Sequence, residues 1–279
     1  MESEDRIKEL FQDLVYENRS GGQQKEIVRP KIPEVPYRVN EALNALRGNI
    51  QLSGYNLKTI AITSALAHEG KSSIAFRLAK NMAGLEKRVL YMDCDIRNST
   101  TQSRYQIEGE KKGLSEYLCG NIEKEKIIYH TDDRWMDILF TGAIAPNPSE
   151  LVSGPLFTEL IAFVRSVYDY IIVDTPPLNL VIDGLLIAKQ CDGAILVVES
   201  GLTERAQAEK ARQQMQYADI KILGAVLNKA DIYEKRYGYG YGYGYGYGYG
   251  YGYGKRANQE NDSESEQNIK VKHGKKKRS

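Results

Sequence analysis

Six short apolar runs recur through the middle of the chain, with helical patterns between them. The runs are Thr59–Thr63, Arg88–Asp93, Met136–Phe140, Tyr170–Asp174, Ala194–Val198 and Ile222–Leu227. The helical patterns include Val39–Leu52, Ser72–Met82, Ser149–Val167 and Thr203–Gln216; in the second, Ile74, Leu78 and Met82 share one face. A strand that is apolar at successive positions buries both faces and needs a layer on each side. Such runs alternating with helices predict an α/β fold with a mainly parallel sheet flanked by helices. The pattern occupies about residues 37–232. Residues 1–36 read as an N-terminal segment and linker. A short helix is expected within residues 1–20, with Ile7, Leu10, Phe11 and Leu14 on one face, followed by a polar linker at Ser20–Gln24 and by Pro30, Pro33 and Pro36, which favour extended chain. Residues 233–279 read as a flexible, disordered tail.

The net charge of the 279-residue chain is +1, which favours no class of partner. Cys94, Cys119 and Cys191 lie far apart with no CxxC spacing, which fits a reducing compartment and argues against a disulfide framework or a zinc site. The first residues, Met-Glu-Ser-Glu-Asp, are acidic and unlike a signal peptide, and no apolar run approaches the roughly 20 residues of a spanning helix. A cytoplasmic protein is expected, with any membrane association supplied by a partner or by its surface.

The first apolar run ends in Ser64-Ala65-Leu66-Ala67-His68-Glu69-Gly70-Lys71-Ser72-Ser73, and a helix begins at once. This is a P-loop in its proper setting between strand and helix. Backbone N–H groups there meet phosphate oxygens, Lys71 reaches the outer phosphates and the Ser72 hydroxyl suits Mg²⁺. The usual first glycine is Ala65. The second run leads into Asp93-Cys94-Asp95-Ile96-Arg97, whose two carboxylates point the same way from an extended segment. At the C-terminal edge of a parallel sheet they can hold Mg²⁺ through water, or one can take a proton from an attacking hydroxyl. Asp174-Thr175-Pro176-Pro177 reads as a Walker B carboxylate at the next strand end. Asn228-Lys229-Ala230-Asp231 matches a guanine-recognition pattern, but the accompanying Asp-x-x-Gly is absent; Pro177 stands where that glycine would offer an N–H. Guanine specificity is therefore not expected, although Asn228 remains a candidate to touch the base.

Beyond Arg236 the chain reads Tyr-Gly nine times, with Tyr237, Tyr239, Tyr241, Tyr243, Tyr245, Tyr247, Tyr249, Tyr251 and Tyr253 in the tract 237–254. Glycine at every second position opposes a packed strand and leaves a string of phenols. An acidic polar stretch and a basic end, Lys275–Arg278, follow. No arginines interleave the tyrosines, which argues against nucleic acid as the partner.

Together these segments resemble the bacterial tyrosine kinases (BY-kinases) of capsule and exopolysaccharide biosynthesis, in the Gram-positive form whose membrane activator is a separate chain. The matching segments are Glu69–Ser73, Leu90–Arg97, Gly113–Ser115 with Tyr117, Leu118 and Gly120, Pro146–Leu151, Tyr168–Pro177 and the tyrosine cluster, within about residues 37–254. The related partitioning and division-site ATPases carry a second lysine early in the loop, where this chain has Leu66 and Ala67, and they lack a tyrosine tail. An ATPase switch of that kind, without kinase activity, is the alternative.

The resemblance implies a P-loop kinase using ATP and Mg²⁺ to autophosphorylate the tyrosine cluster, in trans, and to regulate polysaccharide synthesis and export. It implies nucleotide binding by Glu69, Gly70, Lys71, Ser72 and Ser73, catalytic roles for Lys71, Asp93, Asp95 and Asp174, and metal binding by Ser72, Asp95 and Asp174. By the same analogy Asp93 is the base that activates the tyrosine, with Asp95 its competitor. The implied partners are a chain-length-determinant membrane activator with a cytosolic activating tail, which recruits the kinase to the inner face of the membrane, and a cognate phosphotyrosine phosphatase. A homo-oligomer, possible as a ring, is also implied through Glu-x-x-Arg-x-x-Arg on the helix before the first strand. Here Glu41 and Arg47 match but Asn44 replaces the first arginine, and an amphipathic helix burying Leu43, Leu46 and Ile50 accounts for the same segment equally well.

Overall fold

The computed structural model describes residues 27–54 and 56–230. The expected N-terminal helix, the linker at Ser20–Gln24 and the tyrosine tail lie outside them. The strands are β1 (Ile27–Val28), β2 (Thr59–Ser64), β3 (Val89–Asp93), β4 (Ile128–Thr131), β5 (Met136–Leu139), β6 (Tyr170–Asp174), β7 (Gly193–Glu199) and β8 (Ile222–Asn228). They form one sheet in the order β1-β4-β5-β3-β6-β2-β7-β8. Every neighbouring pair is parallel except β4–β5, so β4 and β1 run against the rest. All six expected strands are present to within a residue or two. β1 lies inside the segment read as linker and extends the sheet by one edge strand, while Lys31 N–H donates to the Tyr105 carbonyl at 2.9 Å.

The helices are α1 (Tyr37–Leu52), α2 (Lys71–Ala83), α3 (Thr101–Arg104), α4 (Leu114–Leu118), α5 (Pro148–Ser153), α6 (Pro155–Val167), α7 (Asp183–Lys189) and α8 (Arg205–Tyr217). The pattern at Ser149–Val167 predicts one helix; the structure holds two, α5 and α6. Gly154 is extended there (φ −75°, ψ 165°). Pro155 has no N–H for the helical ladder and its ring disfavours helical backbone at the residue before it.

Strand alternation builds the layers. Val89 and Tyr91 of β3 face α2, where Ile74, Phe76, Leu78 and Met82 cover them. Leu90 and Met92 face the other way, onto Phe157, Leu160, Ile161 and Val164 of α6. Each such side chain, taken fully out of water, contributes about 1.5–3 kcal/mol. Parallel strands in this arrangement end at one edge of the sheet, and α2, the loop after β3 and the loop after β6 all start there.

Candidate active site

The loop between β2 and α2 is closed by its own side chains and by Thr203. Leu66 N–H donates to Glu69 Oε2 at 2.6 Å, Ser64 Oγ donates to the Leu66 carbonyl at 2.7 Å, and the Thr203 hydroxyl donates to Glu69 Oε1. Left-handed backbone falls at His68 (φ 66°) and Gly70 (φ 92°), and Ala65 is not among the positive-φ residues. That explains why alanine serves where glycine is usual. Gly70 is required twice over: by its φ, and because a Cβ there would lie 2.1 Å from Asn228 Nδ2.

α2 opens at Lys71, so its first N–H groups face the cavity at the sheet edge. The cavity, of about 320 Å³, is bordered by the loop, by Asp95, Arg97 and Arg104, by the apolar wall of Pro176, Pro177, Leu180 and Val181, and by Asn228 and Lys229. The Lys71 ammonium donates to Asp95 Oδ2 at 2.9 Å, to Ser72 Oγ at 3.2 Å and to Asp174 Oδ1 at 3.4 Å. Burial alone would lower its pKa, but Asp174, Asp95 and Asp93 together hold it well above the ordinary value, so it is a cation at any physiological pH.

Asp93 and Asp174 are directly opposite on β3 and β6, each 1% exposed. Burial, then the Asp174 charge, pushes Asp93 up to about 7. Asp174 is raised as well, chiefly by burial, with Lys71 and Ser72 opposing. Asp93 Oδ1 accepts Asp95 N–H at 3.2 Å and its Oδ2 accepts the Ser99 hydroxyl at 2.6 Å. Asp174 Oδ2 accepts the buried Tyr91 hydroxyl at 3.2 Å. Ser72, Asp95 and Asp174 thus already surround a cation, the Lys71 ammonium, with oxygen atoms. An oxygen-only set with few carboxylates suits Mg²⁺, which keeps several waters and shares phosphate oxygens. Among the described residues no cage of three or more His, Cys, Asp or Glu offers an alternative metal centre.

A family description for the AAA domain matches residues 57–204. The tyrosine-protein kinase CpsD of Streptococcus agalactiae is 39% identical over 213 residues, covering 76% of this chain and 91% of CpsD. The chain belongs to the bacterial tyrosine-protein kinases of the capsule type. Among solved structures, the kinase domain of Escherichia coli tyrosine kinase ETK superposes with a TM-score of 0.67 at 27% identity, covering 79% of this chain and 95% of that one. The septum site-determining protein MinD of Pyrococcus horikoshii, solved with Mg-ADP, shares the fold at 23% identity and a TM-score of 0.53 over 61% of this chain and 69% of that one. The fold is that of a nucleotide-binding P-loop protein, and the activity is that of a protein-tyrosine kinase.

Within this kinase most of the expected site residues converge. Gly70, Lys71, Ser72, Ser73, Asp95 and Asn228 border the cavity, while Asp93 and Asp174 are buried and outside its lining, Asp174 reaching Lys71 at 3.4 Å. Glu69 differs: its side chain is fully buried, turned away from the cavity and spent on Leu66 and Thr203, so the carboxylate braces the loop. A carboxylate aimed at phosphate would repel it. Asn228 donates from Nδ2 to the Glu69 carbonyl at 2.9 Å, and Lys229 Nζ donates to the His68 carbonyl at 3.2 Å. The Asn-Lys pair therefore clamps the loop; Asp231 lies outside the described residues. Three participants were missed from sequence. Tyr91 was hidden in an apolar strand, although a phenol two residues before the first aspartate was a readable signal. Asp183 takes Arg97 in a two-point ion pair (2.5 and 3.2 Å) and Ser149 at 2.5 Å. Arg104 donates to Ser73 Oγ at 3.0 Å.

On α1, Asn44 Nδ2 donates to Glu41 at 3.0 Å and Asn44 Oδ1 accepts Asn81 Nδ2 at 2.8 Å. Arg47 donates to Asn81 Oδ1 at 2.8 Å. Two of the three motif positions are thus bonded to α2 within the same chain. Among the described residues no helix is long and apolar enough to cross a membrane.

Proposed function

We propose that this kinase transfers the γ-phosphoryl group of ATP, with Mg²⁺, to the tyrosines of its own C-terminal cluster, Tyr237 to Tyr253, and thereby tunes capsular or exopolysaccharide synthesis and export. The observation that carries the reading is Lys71 at the head of α2, bridging Asp95 and Asp174 beside an open cavity. When ATP enters, the Lys71 ammonium exchanges Asp95 for phosphate oxygens, and the N–H groups at Gly70–Ser73 bind the remainder. Asn228, which borders the cavity, is the candidate to touch the nucleotide base. Ser72, with Asp95 and Asp174 acting through water, holds the metal, which neutralises phosphate charge when bound. Asp93, raised toward neutrality, accepts the tyrosine proton. The rest is positioning and charge neutralisation, since the transferring phosphoryl is loosely bonded.

The tract extends up to roughly 60 Å when fully drawn out, enough to reach a neighbouring copy. Transfer in trans within a homo-oligomer follows, promoted by the cytosolic tail of a membrane activator that recruits the kinase to the membrane and reversed by a phosphotyrosine phosphatase. Several phosphates of about −1.5 to −2 charges each repel one another and the acidic site, so heavy phosphorylation loosens the assembly. The test mixes two inactive halves: Lys71→Met, which has acceptor tyrosines, and a chain with all nine tract tyrosines changed to Phe, which has an intact site. Phosphotyrosine on the Lys71→Met chain supports transfer in trans; none there, with wild type labelled, refutes it.

A further inference from the structure

Four lysine and arginine side chains line the cavity: Lys71, Arg97, Arg104 and Lys229. Three of them are already paired with carboxylates, Lys71 with Asp95 and Asp174, Arg97 with Asp183, and Lys229 with Glu199 at 2.7 Å. Arg104 differs: among the described residues its guanidinium forms no ion pair. It is exposed and donates to two hydroxyls, from Nη1 to Ser73 Oγ at 3.0 Å and from Nη2 to Thr100 Oγ1 at 3.4 Å. A guanidinium carries about five N–H donors and no acceptor, so most of its donors remain for a ligand. The stem of this side chain is fixed. Arg104 N–H donates to the Thr100 carbonyl at 2.8 Å, and the next residue, Tyr105, is buried with its ring stacked on Phe76 of α2, 3.8 Å between centroids. A permanent cation is thus held on the rim of the phosphate loop without a carboxylate of the described residues to neutralise it.

The position of Arg104 along the loop selects the phosphate it meets. Lys71, the first residue of α2, extends to Asp95 and Asp174. Arg104 bonds instead to Ser73, two residues further along the first turn of the same helix. In a P-loop the lysine reaches the outer phosphates, while the backbone N–H groups of the loop cradle the inner ones. We propose that Arg104 binds the α-phosphate of the nucleotide, donating from its remaining N–H groups to oxygens that ATP and ADP share, with Ser73 and Thr100 holding the guanidinium in place. Charge-assisted bonds from a planar guanidinium to phosphate are among the stronger polar contacts. The inference rests on the reading of the cavity as the ATP site.

Titration calorimetry on the full chain, with Mg-ADP and with a non-hydrolysable Mg-ATP analogue, reads this contact without turnover. Arg104→Ala is expected to weaken both nucleotides alike, by about tenfold, the equivalent of one hydrogen bond to a charged group. Arg104→Lys keeps the charge but loses the planar donors, and should lose less than Arg104→Ala. The competing role for Arg104 is to brace α3 against α2 through Ser73. An ADP analogue with sulfur on the α-phosphorus separates the two. Sulfur is a weak acceptor, so this analogue should bind wild type more weakly than ADP does, and the penalty should shrink in Arg104→Ala. A penalty of the same size in both proteins, a loss confined to the ATP analogue, or wild-type affinity for Mg-ADP in Arg104→Ala overturns the assignment. A wild-type chain that binds neither nucleotide overturns the ATP reading itself; a wild-type chain that binds both, with Arg104→Ala unaltered, overturns only the role of Arg104.

Discussion

Replacing Asp93 with Asn should stabilise the nucleotide-free kinase while disabling it. The Asp93 carboxyl lies on β3 opposite Asp174 of β6, below Lys71 of α2 and two residues before Asp95. Burial and then the Asp174 charge raise it from 3.8 to about 7, the Ser99 and Thr101 hydroxyls and Lys71 offsetting only part. Between those two values the native protein keeps a proton that the unfolded chain has released. Native stability therefore falls as pH rises through that window and levels off above about 7. The gap corresponds to roughly 4 kcal/mol. Asparagine carries no charge; its Oδ1 can still accept Asp95 N–H and its Nδ2 can donate to Ser99 Oγ. Burying the amide takes back part of the gain, leaving about 2–3 kcal/mol at pH 8 and close to nothing at pH 4. For a domain of about 200 residues that is roughly 4–12 °C in Tm. Thermal or urea unfolding of both proteins without nucleotide, from pH 4 to 8, reads it directly. Equal stability at pH 8, or an advantage that does not shrink toward pH 4, would refute the charge argument. In the transfer assay the same variant should lose about 10²–10⁴-fold.

Tyr91→Phe removes the donor to Asp174 but keeps the ring against Phe76, 5.0 Å away between centroids. A bond to a charged group is worth about 1.5–3 kcal/mol, so urea unfolding should show a loss near 2 kcal/mol; under 0.5 would mean that the phenol does not hold the carboxylate. Gly70→Ala should weaken binding of a non-hydrolysable ATP analogue at least tenfold, by calorimetry, through the clash with Asn228 and the left-handed φ. Adding Asn228→Ala should recover part of it, and no recovery would place the whole effect in the backbone. Thr203→Val leaves one oxygen of the buried Glu69 short of a donor and should lower ADP affinity; combined with Glu69→Gln, the two losses should add to less than their sum, whereas full additivity would show that they act separately.

The strands and the loop were legible because both are local signals: apolar runs of five or six residues, and a glycine-lysine-serine step between strand and helix. β1 and β4 were not. Ile27–Val28 is two residues long, and Ile-Tyr-His-Thr carries polar groups that are satisfied only by neighbours, His130 by Asp137 at 2.8 Å across the β4–β5 pair. The break at Gly154-Pro155 was readable in principle, because proline punctuates helices, but the apolar period continues across it. The direction of the Glu69 side chain was not legible for a different reason. The loop match places Glu69 with the nucleotide-binding residues, and its carboxylate is turned by Leu66 N–H three residues away and by Thr203, more than a hundred residues away. Long-range partners of that kind, with Tyr91–Asp174 and Arg97–Asp183, are set by sheet order and leave no local trace.

Phosphotyrosine formation on the purified chain tests the central claim most directly. Incubated with Mg-ATP and the activator tail, wild type should gain phosphate on tyrosines of the 237–254 tract, located by mass spectrometry. Lys71→Met and the chain with the nine tyrosines changed to Phe should gain none there. A wild-type chain that binds and hydrolyses ATP yet carries no phosphotyrosine would contradict the account.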